Sequence, residues 1–193
     1  MLQTLFDIEP RLPEGFTYQP EFISKEEEEH LLQIISSLEM KQMQFHQYEA
    51  KRRVISFGQG WSFTEQQLKE GPPIPSDFLF LIKKIAAQRS IDCEEIAQML
   101  ITEYPPGAII NWHRDAPPFA SIAGVSLKSD CSFKLRPQEK EQQTRKATIS
   151  LNVQRRSLYI MQGKAKTDWQ HSTAAAVDQP RYSITFRTLK SNK

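Results

Sequence analysis

Near the middle of the chain His113 and Asp115 stand two positions apart in the stretch Asn111-Trp-His-Arg-Asp115, and a third candidate ligand, His171, follows 56 residues later. Two imidazoles and one carboxylate on one side of an ion leave coordination positions open. That is the set used by non-haem Fe(II) oxygenases, where a chelating co-substrate and oxygen must both reach the metal. In an extended strand, side chains two apart share a face, so His113 and Asp115 can converge while Trp112 turns away into packing. With 4 histidines and seven aspartates in 193 residues a His-x-Asp pair is a weak signal, so its surroundings must carry the reading. They do so near the C-terminal end, in Arg181-Tyr-Ser-Ile-Thr-Phe-Arg187. The strand period of two puts Arg181, Ser183, Thr185 and Arg187 on one face and Tyr182, Ile184 and Phe186 on the other. Two guanidinium groups and two hydroxyls on one strand face make a receptor for a dicarboxylate.

The elements that must position these groups fall into two kinds. Ser24 and Glu27 have capping-box spacing, Glu26 to Glu29 suit the positive end of a helix, and Leu31, Leu32, Ile35 and Leu38 form its apolar stripe, with His30 on the solvent side. After the breaker Gly71-Pro-Pro-Ile-Pro75, Ser76 is expected to cap a second helix reaching about Arg89, with Phe78, Leu81, Ile82 and Ile85 inward. From Gln98 the period changes to alternation, in runs at 98–104, 108–114, 120–127, 131–136, 146–153, 156–161, 167–172 and 181–188. Eight short strands after a helical part predict an α+β fold, a double-sheet jelly roll with helices on one side. One domain over 1–193 is expected, with a helical part and lid hairpin at 1–95 and the jelly-roll core at 96–190. Residues 1–22 read as a lead-in without regular structure, anchored by Phe6, Leu12 and Phe16. Tyr48 to Phe63 reads as a hairpin turning near Gly58 and Gly60. It interleaves Arg52 and Arg53 with Tyr48, Phe57 and Trp61, which suits phosphates and a stacked base as well as it suits ordinary packing.

Composition excludes several classes. Hydrophobic content of 39% and charged content of 25% are those of a globular chain, and no apolar stretch could span a bilayer. The first residues lack a secretory pattern, so a cytoplasmic or nucleoid-associated protein, not secreted, is expected. Cys93 and Cys131 are too few for a disulfide framework and read as free thiols. Net charge is only +2, but residues 1–40 hold nine acids against two bases, and residues 128–166 hold ten bases against three acids. The basic segment either faces a polyanion or guards strand edges.

The order Thr102-x-Tyr104-x-x-Gly107-x-x-Ile110-x-x-His113-x-Asp115, then Trp169-Gln-His171, then Arg181-Tyr-Ser-Ile-Thr-Phe-Arg187 resembles the AlkB family of Fe(II)- and 2-oxoglutarate-dependent dioxygenases. The likeness is strong from about Met99 to Leu189. Before that, Arg52-Arg-Val-Ile-Ser-Phe-Gly58 and Pro72-Pro-Ile-Pro75 look like the family's substrate-lid strands and following helix. The resemblance implies a double-stranded β-helix with His113, Asp115 and His171 as iron ligands. It also implies 2-oxoglutarate as co-substrate with O2, its C5 carboxylate on Arg181 and Tyr104 and its C1 carboxylate near Arg187 and Ser183. Thr102 and Ser183 stand where many members carry Asn, and their hydroxyls hydrogen-bond with shorter reach.

The activity implied is oxidative dealkylation of N-alkylated bases in DNA or RNA, as in DNA repair by demethylation, releasing aldehyde, succinate and CO2. The base would leave its stack to enter the pocket, against Tyr48, Phe57 or Trp61, with Arg52 and Arg53 on phosphates. An AlkB-like hydroxylase or demethylase of proteins is the runner-up, and a non-catalytic jelly roll that binds a metal or nucleic acid the third reading. Alkylated nucleic acid is the expected partner, and the chain is expected to act as a monomer away from membranes.

Overall fold

The structure, a computed structural model, describes residues 11–45 and 48–191, with backbone only at 43–45 and 48–49. Phe6 and the side chain of Tyr48 therefore lie outside the described residues. In chain order the elements are β1 (Phe16–Gln19), α1 (Lys25–Ser36), β2 (Lys41–Phe45), β3 (Tyr48–Ser62), β4 (Gln67–Glu70), α2 (Leu79–Arg89), β5 (Ile96–Tyr104), β6 (Ile109–His113), β7 (Phe119–Leu127), β8 (Cys131–Pro137), β9 (Ile149–Val153), β10 (Leu158–Gln162), α3 (Lys164–Thr167), β11 (Trp169–Ala175) and β12 (Arg181–Leu189).

The strands form two sheets. The larger runs β1-β10-β7-β12-β5-β3-β2 with β4 attached to β3, and the smaller runs β6-β11-β8-β9. All eight strands expected from Gln98 onward are present, and they interleave between the sheets as a double-stranded β-helix. Alternation on β12 explains the layering. Ile184 and Phe186 face the helices and join Met99, Ile101 and Val125 in a cluster with Leu31, Ile35, Phe78, Leu81 and Ile85 of the helical layer. Between the sheets a second cluster gathers Phe16, Ile122, Phe133, Leu135, Tyr159 and Met161. The inward face of β12, with Arg181, Ser183 and Thr185 all buried, is left to polar groups.

Local signals hold where one element decides them. The Ser24 hydroxyl accepts from the Glu27 amide at 3.1 Å, and the Glu27 carboxylate accepts from the Ser24 amide at 2.8 Å, so α1 begins with the full capping box. His30 is exposed. The second helix starts differently from its expected cap: Ser76 is the first residue of a 3-10 turn (Ser76–Phe78) that runs directly into α2, and no side chain caps either.

Two further expectations are corrected. The lead-in is partly ordered as β1, because Phe16 is core and its strand pairs with β10. The hairpin does not turn at Gly58 and Gly60: Tyr48–Ser62 is one 15-residue strand, and the chain reverses after Ser62 into β4. Gly58, at φ +74, is where β3 stops pairing with β5 and starts pairing with β4. A Cβ there would lie 2.2 Å from the Ala97 carbonyl oxygen, so only glycine permits the close approach. Among the described residues no helix is long and apolar enough to cross a membrane.

Candidate active site

The two strands that carry the histidines are hydrogen-bonded neighbours, and His113 and His171 are direct partners in the β6/β11 register. Their ring centroids are 4.2 Å apart. His113 is the last residue of β6, so Asp115 lies just beyond the strand, and strand parity alone does not aim its carboxylate. Other groups do. Arg187 Nη2 donates to Asp115 Oδ1 at 3.1 Å, and His171 Nε2 lies 3.5 Å from Asp115 Oδ2. The segment is fastened on both sides of Asp115 to α3 and its end: Arg114 donates to the Thr167 carbonyl at 2.9 Å, and the buried Lys166 donates to the Ala116 carbonyl at 3.2 Å. Trp112 turns away from the histidines, as the strand period predicts, but not into packing: it lies on the outer face, with the Arg136 guanidinium 4.4 Å from its ring.

The protonation chemistry suits a cation. Burial lowers the His171 imidazole to about 4 even against the attraction of Asp115, so near neutrality it is an uncharged donor. Burial would raise the Asp115 carboxyl, but Arg187, His171 and His113 outweigh it and hold the group below the usual carboxylate range. His113 Nδ1 is engaged with the Asn111 carbonyl at 2.8 Å, leaving Nε2 as the nitrogen that can coordinate. Phe133 lies parallel to the His171 ring at 5.4 Å and fixes its plane. Among the described residues no three His, Cys, Asp or Glu side chains stand as a finished cage. The two imidazoles and the carboxylate are nonetheless adjacent, and as a donor set they fit a divalent metal of intermediate softness.

Beside this cluster lies an anion receptor. Arg181 is 1% exposed, yet its guanidinium has no carboxylate partner among the described residues. Its Nε donates to the Ser126 hydroxyl at 3.0 Å, and the group lies 4.9 Å from the Tyr104 ring. The Tyr104 and Ser183 hydroxyls are 3.4 Å apart. Thr102 is buried in register with Ser183 on one side and Val54 on the other. Arg187 adds a second cation, and its Nε is buried without a hydrogen-bond partner. A buried positive charge without a counter-charge is costly unless an anion completes it. Arg181 is in that position, and Arg187, whose charge Asp115 partly meets, stands on the same face of β12; the pair fits a small dicarboxylate.

The strand order brings together His113, Asp115, His171, Arg187, Arg181, Tyr104, Ser183 and Thr102. The residues expected to contact substrate divide. On β3, Ile55 and Phe57 pack into the helix-side core, and Arg53 on the same face pairs with Glu103. Phe57 is 6% exposed, so it is not available to stack a base, contrary to expectation, and Arg53, expected on phosphates, is engaged by Glu103. Arg52 alternates onto the opposite face with Val54 and Ser56. Trp61 lies beyond the bend, half-buried and paired with Leu68. Sequence reasoning missed Gln98, Ser126, Phe133 and Lys166. Gln98 accepts from Arg187 Nη1 at 2.7 Å and donates to the Ser56 hydroxyl at 3.0 Å. Its signal, a polar residue at an inward position of an otherwise apolar strand, has meaning only once β5 is known to neighbour β12.

Comparison with known proteins agrees with this geometry. Residues 15–187 match the family model of the 2OG-Fe(II) oxygenase superfamily. Over 90 residues the chain is 30% identical to alpha-ketoglutarate-dependent dioxygenase alkB homolog 3 of Mus musculus, a match covering 42% of this chain and 32% of that protein. Over 165 residues it is 27% identical to the Mus musculus tRNA (carboxymethyluridine(34)-5-O)-methyltransferase ALKBH8, covering 83% of this chain and 24% of that one. The chain thus spans a third or less of these relatives. The OsALKBH1 structure superposes with a TM-score of 0.66 at 13% identity, over 90% of this chain and 96% of that one, which is a likeness of fold. The chain belongs to the 2OG-Fe(II) oxygenase superfamily, which implies Fe(II), 2-oxoglutarate and O2, and within it is similar to AlkB homologues.

Proposed function

We propose that the protein removes alkyl groups from the nitrogens of nucleobases in DNA or RNA by oxidation. His113, Asp115 and His171 are the iron ligands. Arg181 and Tyr104 receive the C5 carboxylate of 2-oxoglutarate, and Arg187 with Ser183 and Thr102 serves its C1 end. Held there, the iron and co-substrate would supply oxidative chemistry that places one oxygen atom of O2 in succinate, with loss of CO2, and the other on the carbon next to nitrogen, so that the alkyl group would leave as an aldehyde and the nitrogen regain N–H.

The chain's own residues orient this chemistry. Asp115 stays ionised because Arg187 lies against it, His171 stays neutral because it is buried, and the Arg181 charge selects an anionic tail. The single observation that carries the reading is the unpaired, buried Arg181 on the same strand as Arg187, because a plain metal-binding module needs no dicarboxylate receptor. For the substrate, support comes from the AlkB-type relatives and from Arg52 on the β3 face that continues the cleft. Trp61, and Tyr48 outside the described side chains, remain the aromatic candidates for stacking.

The test is a panel of methylated DNA oligonucleotides, RNA oligonucleotides and peptides, each scored by mass for loss of CH2 with Fe(II) and 2-oxoglutarate present. Demethylated oligonucleotide with stoichiometric succinate is expected, and H171A is expected to abolish both. Modification of the peptides alone would replace nucleic acid by protein as the substrate.

A further inference from the structure

The ten basic residues between 128 and 166 separate into two sets once their partners are known. Arg155, Arg156 and Lys164 are tied to Glu28, Glu21 and Glu14, Lys166 is buried on a carbonyl, and Lys128 lies 5.9 Å from the Tyr182 ring. The others, Lys134, Arg136, Lys140, Arg145 and Lys146, have no carboxylate partner among the described residues. They lie on β8 and the β8–β9 connection. Leu135 is in register with His171 and Pro137 with Trp169, so the connection that follows Pro137 leaves the barrel at the metal end.

The outer face of the smaller sheet has a matching composition. Ser132, Lys134 and Arg136 alternate outward on β8, beside Gln170 and Ser172 on β11 and Ser150 and Asn152 on β9. This face carries cations, hydroxyls, amides and the Trp112 ring, over which Arg136 is held by its 2.7 Å bond to Gln170. Asp130 lies at the opposite end, where it accepts from Asn152. Edge guarding does not explain the pattern, because β8 is an interior strand of the sheet and its edges are β6 and β9. A solvent-facing sheet surface with unpaired cations and an aromatic ring, leading to a catalytic mouth, is a single-stranded nucleic-acid track.

We infer that the phosphates flanking the modified base run along this outer face, on Lys134, Lys140, Arg145 and Lys146, with Trp112 and Arg136 as a stacking platform. The inference rests on the nucleic-acid reading of the active site, but its test does not require turnover. Binding of fluorescein-labelled oligo-dT and oligo-U is measured by anisotropy across a salt series, for the intact protein, for K134A/K140A/R145A/K146A, and for K25A/K83A on the helical layer. The four track residues are exposed, so melting temperatures should match. At about 0.7 of log–log slope per single-strand phosphate contact, the fourfold variant should lose about 3 of slope. The intact protein should then weaken about 50-fold more than the variant between about 50 and about 200 mM salt. K25A/K83A should keep the full slope. An unchanged slope in the fourfold variant, an equal loss in K25A/K83A, or no binding by the intact protein would overturn the track. Binding that follows these expectations without demethylation in the panel would instead overturn the proposed reaction and leave the track standing.

Discussion

Gln98 shows how a residue outside the reacting groups can set their geometry. An arginine only donates, so the Gln98 carboxamide must turn its oxygen to Arg187 and its nitrogen to Ser56, and Arg187 then meets Asp115 with its other arm. Q98L removes the acceptor and frees the guanidinium to rotate. Losing one charge-assisted bond of roughly 1.5 kcal/mol should weaken 2-oxoglutarate binding about tenfold with little change in melting temperature. Quenching of tryptophan fluorescence by the co-substrate measures this, and an unchanged dissociation constant would make Gln98 a packing residue only. His171 supports a pH prediction. Its folded value of about 4 lies below the ordinary 6.5, so the unfolded chain takes up a proton before the folded one does. Stability present in full above about pH 6.5 is therefore lost as pH falls toward 4, by about 2 kcal/mol near pH 5. Urea unfolding in chelator at both ends of that window should show the drop, and H171N should flatten it. At this scale the sequence was a good guide for groups whose chemistry is typed by the residue itself: two histidines, an aspartate and two arginines. It was a poor guide for Gln98, Ser126 and Lys166, which are ordinary polar residues until strand order gives them a partner.

The strands of the barrel were legible because each alternates between a core face and a polar or inward face, and the turns between them carry their own residue types. Asp115 marks the limit of that reasoning, since β6 ends at His113 and the carboxylate is aimed by Arg187, with its segment tied to α3. Gly58 marks another. A Gly-x-Gly within an alternating run has the composition of a turn, yet here glycine serves a strand that changes partner under a neighbouring carbonyl. Phe57 shares a face with Ile55 and Arg53 by alternation, but only the pairing of β3 with β5 shows that this face meets the helix-side core. G58A would need both a positive φ for a residue with a Cβ and a retreat from the Ala97 oxygen. A loss of roughly 2 kcal/mol, read as a lowered urea midpoint, is expected, with the β4-paired end of β3 disturbed more than His113, Asp115 and His171. If substrate KM rises in G58A while 2-oxoglutarate affinity holds, the bend belongs to the lid; equal loss of both would place its effect in the whole sheet.

At the scale of the whole molecule the acidic N-terminal part and the basic C-terminal part were visible as opposite charge runs, but not as partners. Their pairing depends on β1 lying beside β10 and on α1 reaching the turns at 126–130 and 154–157, contacts that no local pattern encodes. Three acids make the junction, and their burial ranks them. Glu28 is fully buried, accepts from the Lys128 amide at 2.8 Å, and receives Arg155 through two of its nitrogens. Lys128 has φ 73, a left-handed conformation unusual for a residue with a Cβ, so the carboxylate also fixes a turn that would otherwise resist it. Glu21 and Glu14 are mostly exposed, and their bridges to Arg156 and Lys164 stand in water. Because Arg155 is itself 43% exposed, the Glu28 pair is worth less than a fully buried one, and E28A should cost about 2 kcal/mol, mostly from the stranded Lys128 amide and the cavity. E21A and E14A should each cost under about 1 kcal/mol, an amount that salt reduces further. Urea denaturation of the three variants at low and high salt checks the ranking. A dominant, salt-insensitive loss in E28A would show that one buried contact fastens the helical layer to the barrel, whereas three equal losses would make the junction a diffuse attraction between oppositely charged segments.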